Sequence, residues 1–303
     1  MSRLRVIVLG SAAGGGYPQW NCRGAVSALF WDGDTRVEER SQSSIAVSSD
    51  GENWALLNCS PDIRQQIIST PALQPKQPPR HTPLASILLT NGDIDHVAGL
   101  LTLRERQAFR LLATPGILEV LNDNRIFDAL DRDLVPRQPV ALGETIPLVG
   151  EVVAEIFPVP GKVPLYMEKG EPEIGAESET TVGVKISVPD GPKLFYIPGC
   201  AHVPAPLKAR IAGADLLLFD GTLWQDDEMR RAGVGQKTGH RMGHISMSGS
   251  DGSIAAFRDV DLKRRAFIHI NNTNPVLVRD SPERREAEAA GWDITYDGME
   301  IAL

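Results

Sequence analysis

Residues 86–101, SILLTNGDIDHVAGLL, are the stretch that decides the fold. The apolar run 87–89 predicts a buried strand, and a turn follows it. Asp93, Asp95 and His96 come next, ahead of a pattern that can begin a helix. Loops at the ends of strands carry much of the chemistry of α/β proteins. These three side chains could therefore bind a metal ion or transfer a proton, provided that the rest of the chain supplies partners for them.

The composition is typical of a globular enzyme or binding protein. The 303 residues are 42% hydrophobic and 23% charged, and the formal net charge is −8. A negative chain argues against a nucleic-acid or anionic-membrane partner, because those partners select a basic surface. The N-terminal apolar run is too short for a secretion signal, and no apolar run approaches the roughly 18 residues of a membrane-spanning helix. The three cysteines are widely spaced, so we expect no disulfide framework and a cytoplasmic location.

Apolar and β-branched runs predict the elements around this stretch. The first half of the chain has consecutive antiparallel strands, with hairpin signals at residues 32–34 and 50–52, and the second half alternates strands and helices. The predicted strands lie at residues 4–9, 26–31, 44–48, 53–58, 87–89, 110–113, 181–188, 193–197, 215–220 and 265–270, with further pieces within 140–158. The predicted helices lie at residues 62–69, from 100 toward 109, after 115, and at 204–211, 248–257 and 281–290.

Three segments have compositions unlike those of strands or helices. Residues 10–16, GSAAGGG, are no dinucleotide-binding fingerprint, because Ala12 takes the second glycine position and no helix-forming run follows. We expect these glycines to let the backbone turn tightly against another group, such as a substrate. Residues 165–180 are acidic and poor in apolar side chains, which predicts a mobile insertion or lid. Residues 230–241 are a glycine-rich, basic loop.

Several reactive side chains follow predicted strands. They are Asp95, His96, Asp220, His244 and His269, with Asp93 and His202 as close companions. Each one alone is more often a packed histidine, or an aspartate that caps a helix or turn. The joint pattern of D-x-D-H, D-G-T, G-H-I-S and H-x-N-N at successive strand ends is more than chance usually offers. The sequence therefore predicts a single site built from these residues.

The order of elements and these four motifs resemble the metallo-β-lactamase superfamily, an αββα sandwich with metals at one edge of its two sheets. More narrowly, the chain resembles the B family of pyrroloquinoline quinone (PQQ) synthesis proteins along essentially its whole length. The segments that carry this resemblance include VLGSAAGGGYPQWNC at residues 8–22, LTNGDIDHVAGLL at 89–101, LFDGTLWQDDEM at 218–229 and MGHISMSGS at 242–250. The resemblance implies one domain of this fold over residues 1–303.

Departures from the superfamily pattern bear on the metal site. The first motif of the superfamily, H-x-H-x-D-H, falls on NGDIDH, so Asn91 and Asp93 stand where its first two histidines would be. Its metal-bridging aspartate falls at Cys200, and its mid-chain histidine is absent near residues 157–161. Only Cys22 remains of the cysteines that form a structural zinc site in relatives, so we expect no structural zinc. The resemblance thus implies an incomplete two-metal site.

The ligands that remain are Asp95, His96 and His269, with Asp220 or Asp93 as a further ligand or a hydrogen-bond acceptor behind them. Two imidazoles and one carboxylate with open positions suit Fe(II) and O2 chemistry. Iron is therefore the expected metal, and zinc is possible in the purified protein.

The resemblance implies a step in PQQ synthesis, the hydroxylation of the tyrosine ring of a cross-linked Glu–Tyr intermediate. The alternatives are a carrier of PQQ or its precursor toward the periplasm and a metal-dependent hydrolase. Partners would be the small-molecule substrate, other PQQ pathway proteins and a second copy in a homodimer. His240 and His244, with Asp93, are candidate acid/base groups, because an unperturbed histidine titrates near neutral pH. The candidates for pairing with substrate carboxylates are Arg104, Lys237 and Arg241.

Overall fold

Two seven-stranded β-sheets packed face to face form the centre of the computed structural model, which describes residues 3–167 and 174–303. The strands are β1 (Arg5–Gly10), β2 (Ser44–Ser48), β3 (Trp54–Leu57), β4 (Leu84–Leu88), β5 (Arg110–Ala113), β6 (Arg137–Pro139), β7 (Thr145–Val149), β8 (Val152–Gly161), β9 (Ala176–Ser187), β10 (Lys193–Ile197), β11 (Leu216–Asp220), β12 (Arg265–Ile268), β13 (Asp293–Ile294) and β14 (Glu300–Ala302). The helices are α1 (Ala25–Trp31), α2 (Ile63–Ser69), α3 (Ile94–Val97), α4 (Pro115–Asp123), α5 (Ala205–Ile211), α6 (Glu228–Arg231), α7 (Gly239–Met242), α8 (Ser253–Ala256) and α9 (Pro282–Ala289).

The two sheets repeat one topology. The first has the order β14-β1-β2-β3-β4-β5-β6, and the second has the order β13-β12-β11-β10-β9-β8-β7. In the first sheet β1, β2 and β3 pair antiparallel and β3 to β6 pair parallel. In the second, β7 to β10 pair antiparallel and β10 to β13 pair parallel. Loops after the parallel strands β4, β11 and β12 therefore leave from carboxyl ends, where α/β folds usually place their sites.

Alternate residues of the central strands face two different cores. Leu216 and Leu218 of β11 pack into the core between the sheets, whereas Leu217 and Phe219 pack into the core beneath the outer helices. A strand buried on both faces has an uninterrupted apolar sequence, which is why β11 was visible in the sequence. The αββα architecture predicted from the sequence is confirmed.

The strand predicted at residues 26–31 is wrong, because this segment is helix α1. Val26, Leu29 and Phe30 are the partly buried residues that pack against the outer core. Their i, i+3, i+4 spacing is the helical period, and it outweighs the β-branched and aromatic content on which the strand prediction relied. The turn at residues 32–34 accordingly ends a helix, whereas the one at 50–52 connects β2 to β3 as a hairpin, as predicted.

Three other predicted elements are shorter or more ordered than expected. The helix toward residue 109 stops early: α3 is followed by a 3₁₀ turn, Ala98–Leu101, in which Gly99 donates its backbone N–H to Cys59 O at 3.0 Å. Within residues 248–257 only α8 is helical, after Gly249 at a φ of +90°. The predicted loop 230–241 contains the end of α6 and most of α7.

The segment predicted as a lid, residues 165–180, is described only in part. Leu165–Met167 form a 3₁₀ turn, and β9 begins at Ala176, whereas residues 168–173 lie outside the described residues. The lid therefore stays a prediction. Cys22, Cys59 and Cys200 are free thiols. None of the helices in residues 3–167 and 174–303 combines the length and apolar character needed to cross a bilayer.

Candidate metal centre

The three predicted ligands meet between the two sheets. Asp95 and His96 lie on α3, after the loop of residues 89–93 that follows β4, and His269 follows β12 with a φ of +62°. Asp95 Oδ2 lies 3.1 Å from His269 Nε2 and 3.8 Å from His96 Nε2. Ligand atoms bound at about 2.1 Å to one metal ion lie roughly 3 to 3.5 Å apart, so this spacing is close to that of a loaded site.

Close backbone packing fixes the position of α3. The backbone N–H of Cys59 donates to His96 O at 2.7 Å, and Gly99 returns a bond to Cys59 O. A β-carbon at Gly99 would overlap the carbonyl oxygen of Ser60, so the crossing needs a glycine. Asp95 and His96 are thereby held against the loop that follows β3.

His96 has one nitrogen paired and one unpaired. Its Nδ1 lies 2.7 Å from Asn91 Oδ1. Its Nε2 is buried and has no hydrogen-bond partner. A buried polar atom without a partner is costly, and a bound cation beside Asp95 would remove that cost. The residues present therefore fit a metal ion.

A second cluster adjoins the first and shares His269 with it. Asp220, at the end of β11, is fully buried and accepts hydrogen bonds from Cys200 N at 2.9 Å and Thr222 N at 3.0 Å. His244 Nδ1 lies 2.7 Å from Asp220 Oδ2, and Thr222 Oγ1 lies 2.8 Å from His269 Nδ1. The rings of His244 and His269 are stacked, with centroids 5.2 Å apart.

Both clusters have the composition of a metal site. In each of the sets Asp95–His96–His269 and Asp220–His244–His269, one potential ligand atom per residue lies within 4.8 Å of the others. In the second set, however, Asp220 is already occupied by hydrogen bonds from His244 and from backbone N–H groups. The first set contains the unpaired buried nitrogen, so it is the better metal site.

The electrostatics favour the metal-binding forms of two of the three residues in the first set, Asp95 and His96. Burial would raise the pKa of Asp95, but the charge of His96 and the hydrogen bond from His269 hold it well below its usual range. Burial lowers the pKa of His96 to about 4. Burial would also lower the pKa of His269, but its hydrogen bond to Asp95 and the charge of that carboxylate raise it. An ionised carboxylate and a neutral imidazole are the forms that bind metals, so His269 has to release a proton when a metal ion binds.

Two further features surround the first set. Burial and the charge of Asp95 raise the pKa of Asp93, which is half-buried beside it. The glycine-rich loop approaches the same carboxylate, since a β-carbon on Gly14 would lie 3.5 Å from Asp95 Oδ2. At Gly14 this is an ordinary van der Waals distance. The tight approach predicted for these glycines is present at Gly10, where a β-carbon would overlap the carbonyl oxygen of Gln42.

The remaining predicted site residues fall into two groups. His240 and His244 line one cleft of about 490 Å³, together with His202, and the backbone N–H of His240 donates to Asp226 Oδ1 at 2.7 Å. Lys237 and Arg241 are half-buried in the adjoining segment.

Arg104 is exposed, donates to Leu101 O at 2.8 Å, and lies 3.6 Å from a carboxylate oxygen of Glu105. The acid/base and substrate-binding roles of these side chains stay predictions.

Sequence reasoning missed two residues that contact the histidines, Thr222 and the amide oxygen of Asn91. The available signal for Thr222 was a hydroxyl side chain two residues after a strand-terminal aspartate. Neither metal-donor set among residues 3–167 and 174–303 includes a cysteine. The Cys22 sulfur accepts a hydrogen bond from Gly24 N at 3.4 Å.

Comparison with known proteins matches this architecture. Residues 53–270 match the family model described as a beta-lactamase superfamily domain. Coenzyme PQQ synthesis protein B of Methylobacterium nodulans and that of Methylorubrum extorquens strain AM1 are each 60% identical, over 99% of this chain and 100% of the relative.

Solved structures agree with these sequence matches. The crystal structure of Zn(2+)-bound PqqB from Methylobacterium extorquens is 60% identical, covers 99% of this chain and 100% of that chain, and superposes with a TM-score of 0.97. A diphosphatase from the PhnP family, 22% identical over 99% of this chain and 97% of that chain with a TM-score of 0.69, shares the fold.

Proposed function

The chain belongs to the coenzyme PQQ synthesis protein B family of the β-lactamase superfamily, and from this membership we propose that it is a metal-dependent enzyme of PQQ biosynthesis. Asp95, His96 and His269 would hold one Fe(II) ion. When bound, the ion would supply the O2 activation required for hydroxylating the tyrosine ring of a cross-linked Glu–Tyr intermediate. The residues of the chain would orient that substrate and move its protons.

The observation that carries this proposal is the unpaired Nε2 of His96, buried 3.8 Å from Asp95 Oδ2. With His269 Nε2 at 3.1 Å from the same oxygen, the site offers two imidazoles and one carboxylate. This donor set leaves coordination positions open, and it is the one that Fe(II) oxygenases use. Asn91 and Cys200 stand where the superfamily pattern has further ligands. They would support the site through hydrogen bonds, Asn91 to His96 and Cys200 N to Asp220, rather than bind a second ion.

We assign proton transfer to His244. Its Nδ1 is paired with the buried Asp220, so Nε2 is the nitrogen that can take a proton from a phenol. Burial would raise the pKa of Asp220, but the positive charge of His244 and its hydrogen bond keep it below the usual range. Asp220 is therefore ionised and can stabilise a protonated His244.

The cleft beside His244 is where we expect the substrate. Its volume of about 490 Å³ lies within the range of small-molecule sites, roughly 300–1,000 Å³. Lys237 and Arg241 flank the cleft residue His240 in the sequence and would pair with the carboxylates of a Glu–Tyr derivative. Arg104 lies outside the segment that carries His240 and His244, so we assign it the weaker part in substrate binding.

A metal-dependent hydrolase is the second candidate, because Asp220, His244 and His269 form a second donor set within 4.8 Å. Two-metal hydrolysis needs both sets loaded at once. The two sets share His269, so the hydrolase requires this one imidazole to serve both ions or a water to bridge them.

The test is anaerobic reconstitution with Fe(II), followed by addition of O2, a two-electron reductant such as ascorbate, and the cross-linked Glu–Tyr amino acid. The reductant is needed because one oxygen atom of O2 enters the ring and the other is reduced to water. We expect O2 consumption and a product that has gained one oxygen atom. His96→Ala should abolish both signals, and His81→Ala, in the loop before β4, should change neither. A loaded protein that consumes no O2 with this substrate would contradict the hydroxylase, and hydrolysis of a phosphodiester or amide by a two-metal form would favour the second candidate.

A further inference from the structure

We propose that Asn91 and Thr222 are positioning residues that fix the proton of each histidine ligand on Nδ1, which leaves Nε2 of His96 and of His269 available to the metal. The inference rests on the proposed metal centre. It assigns a role to a position where the superfamily pattern has a histidine, and to the hydroxyl group of the D-G-T motif, for which the sequence indicated no role.

The backbone determines which way the amide of Asn91 points. The backbone N–H of Asp93 lies 3.1 Å from Asn91 Oδ1, and an N–H group can only donate. The oxygen of the amide, and not its nitrogen, must therefore face this point. The same oxygen lies 2.7 Å from His96 Nδ1, so Nδ1 must carry the proton. A neutral imidazole has one N–H, and Nε2 is thus the nitrogen with a lone pair.

The proton of Thr222 is assigned by its strongest acceptor. Thr222 Oγ1 lies 2.7 Å from Asp220 Oδ1 and 3.1 Å from His269 O. Both of these oxygens only accept, so the single hydroxyl proton points to them, with the nearer carboxylate favoured. His269 Nδ1, 2.8 Å from Thr222 Oγ1, must then donate. The lone pair of a neutral, metal-bound His269 is consequently on Nε2. In the metal-free protein this nitrogen donates to Asp95 Oδ2 at 3.1 Å, so a metal ion would take the place of its proton.

Thr222 is itself rigidly held. Its backbone N–H donates to Asp220 Oδ1 at 3.0 Å, and its carbonyl accepts from Asn271 N at 3.0 Å. The same hydroxyl oxygen lies 3.1 Å from His244 Nδ1, so one side chain contacts the histidines of both clusters. Both Asn91 and Thr222 are buried, which protects these hydrogen bonds from competition with water.

Neutral acceptors distinguish this arrangement. Metal-bound histidines commonly donate to a carboxylate, a backbone carbonyl or a water molecule, and loss of such partners typically costs about 10- to 100-fold in metal affinity. Here an amide and a hydroxyl take that place, so neither adds charge to the donor set. A variant that keeps an oxygen at the same point should therefore preserve metal binding, whereas one that removes it should not.

The experiment measures Zn(II) affinity by chelator competition in two matched pairs of variants. We expect Asn91→Leu and Thr222→Val to bind about 10- to 100-fold more weakly than the wild type. We expect Asn91→Asp and Thr222→Ser, which keep an oxygen acceptor, to stay within about threefold or to bind more tightly. Thermal unfolding of each metal-free variant identifies any that fails to fold.

A direct readout needs no variant. Long-range ¹H–¹⁵N correlation spectra of the zinc-loaded wild type should show the Nδ1–H tautomer for His96 and His269. An Nε2–H tautomer, or equal affinity losses within a matched pair, would overturn the inference and leave the metal centre standing. Wild-type affinity in both Asn91→Leu and Thr222→Val would likewise overturn the inference without refuting the metal centre. A wild type that binds no zinc would refute the metal centre and this inference together.

Discussion

Asp95 Oδ2 lies 3.1 Å from Nε2 of His269, 174 residues further along the chain. This contact joins the helix after β4 of the first sheet to the loop after β12 of the second. The donor set is therefore complete only when the two halves of the sandwich are packed together. Metal binding should accordingly depend on the tertiary structure and stabilise it.

The first prediction concerns metal removal. A ligand that binds only the folded state stabilises it by about 2.7 kcal/mol when present at 100 times its dissociation constant. We expect Zn(II) or Fe(II) at this concentration to raise the free energy of unfolding by that amount. Anaerobic denaturant titration with and without chelator measures the difference. His81→Ala should show the same gain. An identical gain in His96→Ala would mean that the ion binds elsewhere.

The second prediction concerns the glycine on which α3 rests. In Gly99→Ala the new methyl group would overlap Ser60 O, and the backbone of α3 would have to move. We expect a loss of about 1–3 kcal/mol in the free energy of unfolding, with weaker metal binding because Asp95 and His96 move with the helix. Gly116→Ala, inside α4, is the control and should stay within about 1 kcal/mol. Equal effects of the two substitutions would show that the crossing at Gly99 is not tight.

The third prediction concerns pH and lies outside the metal centre. Glu228 is buried, accepts from Trp224 N at 2.7 Å and from Thr273 Oγ1 at 2.6 Å, and burial raises its pKa to about 7. Because the folded pKa exceeds the unfolded one, the folded state favours the protonated form. Stability should then fall as pH rises from about 4.5 to about 7, by about 3 kcal/mol, and level off above that.

Glu228→Gln tests this pH dependence, since the amide keeps the shape without the charge. Urea denaturation should show the variant more stable than the wild type at pH 8 and similar to it at pH 4.5. A constant difference between the two proteins across this range would mean that Glu228 does not titrate there.

The fourth prediction concerns substrate binding. A hydrogen bond to a charged group contributes about 1.5–3 kcal/mol, so Arg241→Ala should raise KM about tenfold or more if this side chain binds a substrate carboxylate. We expect kcat to change little, because that contact would be the same in the ground state and the transition state. Arg104→Ala should raise KM much less. The comparison requires steady-state O2 uptake, and a fall in kcat at unchanged KM would place Arg241 in the chemistry instead.

The sequence predicted what depends on strand ends and periodicity. β11 and the stretch after β4 were recognisable because buried strands are continuous apolar runs and because polar residues follow them directly. Asp95, His96 and His269 were predicted as ligands on this basis and on family resemblance, and the structure brings them together. Helix α1 was missed because its apolar residues form only a half-buried face. Over seven residues their spacing fits both the period of a strand and that of a helix.

The contacts of Thr222 and Asn91 could not be predicted from the sequence. They depend on where a hydroxyl or an amide points after a turn, and on residues such as His269, 47 positions from Thr222. Likewise the pairing of His244 with Asp220 spans 24 residues and two loops. Such hydrogen bonds follow from the packing of the sheets, which local pattern does not encode.

The number of metal ions per chain tests the central claim most directly. Anaerobic titration with Fe(II), followed by removal of unbound metal and elemental analysis, should give one ion per chain in the wild type. It should give none in His96→Ala and one in His81→Ala. Two tightly bound ions per chain in the wild type, or one ion retained in His96→Ala, would contradict a single-metal centre built on Asp95, His96 and His269.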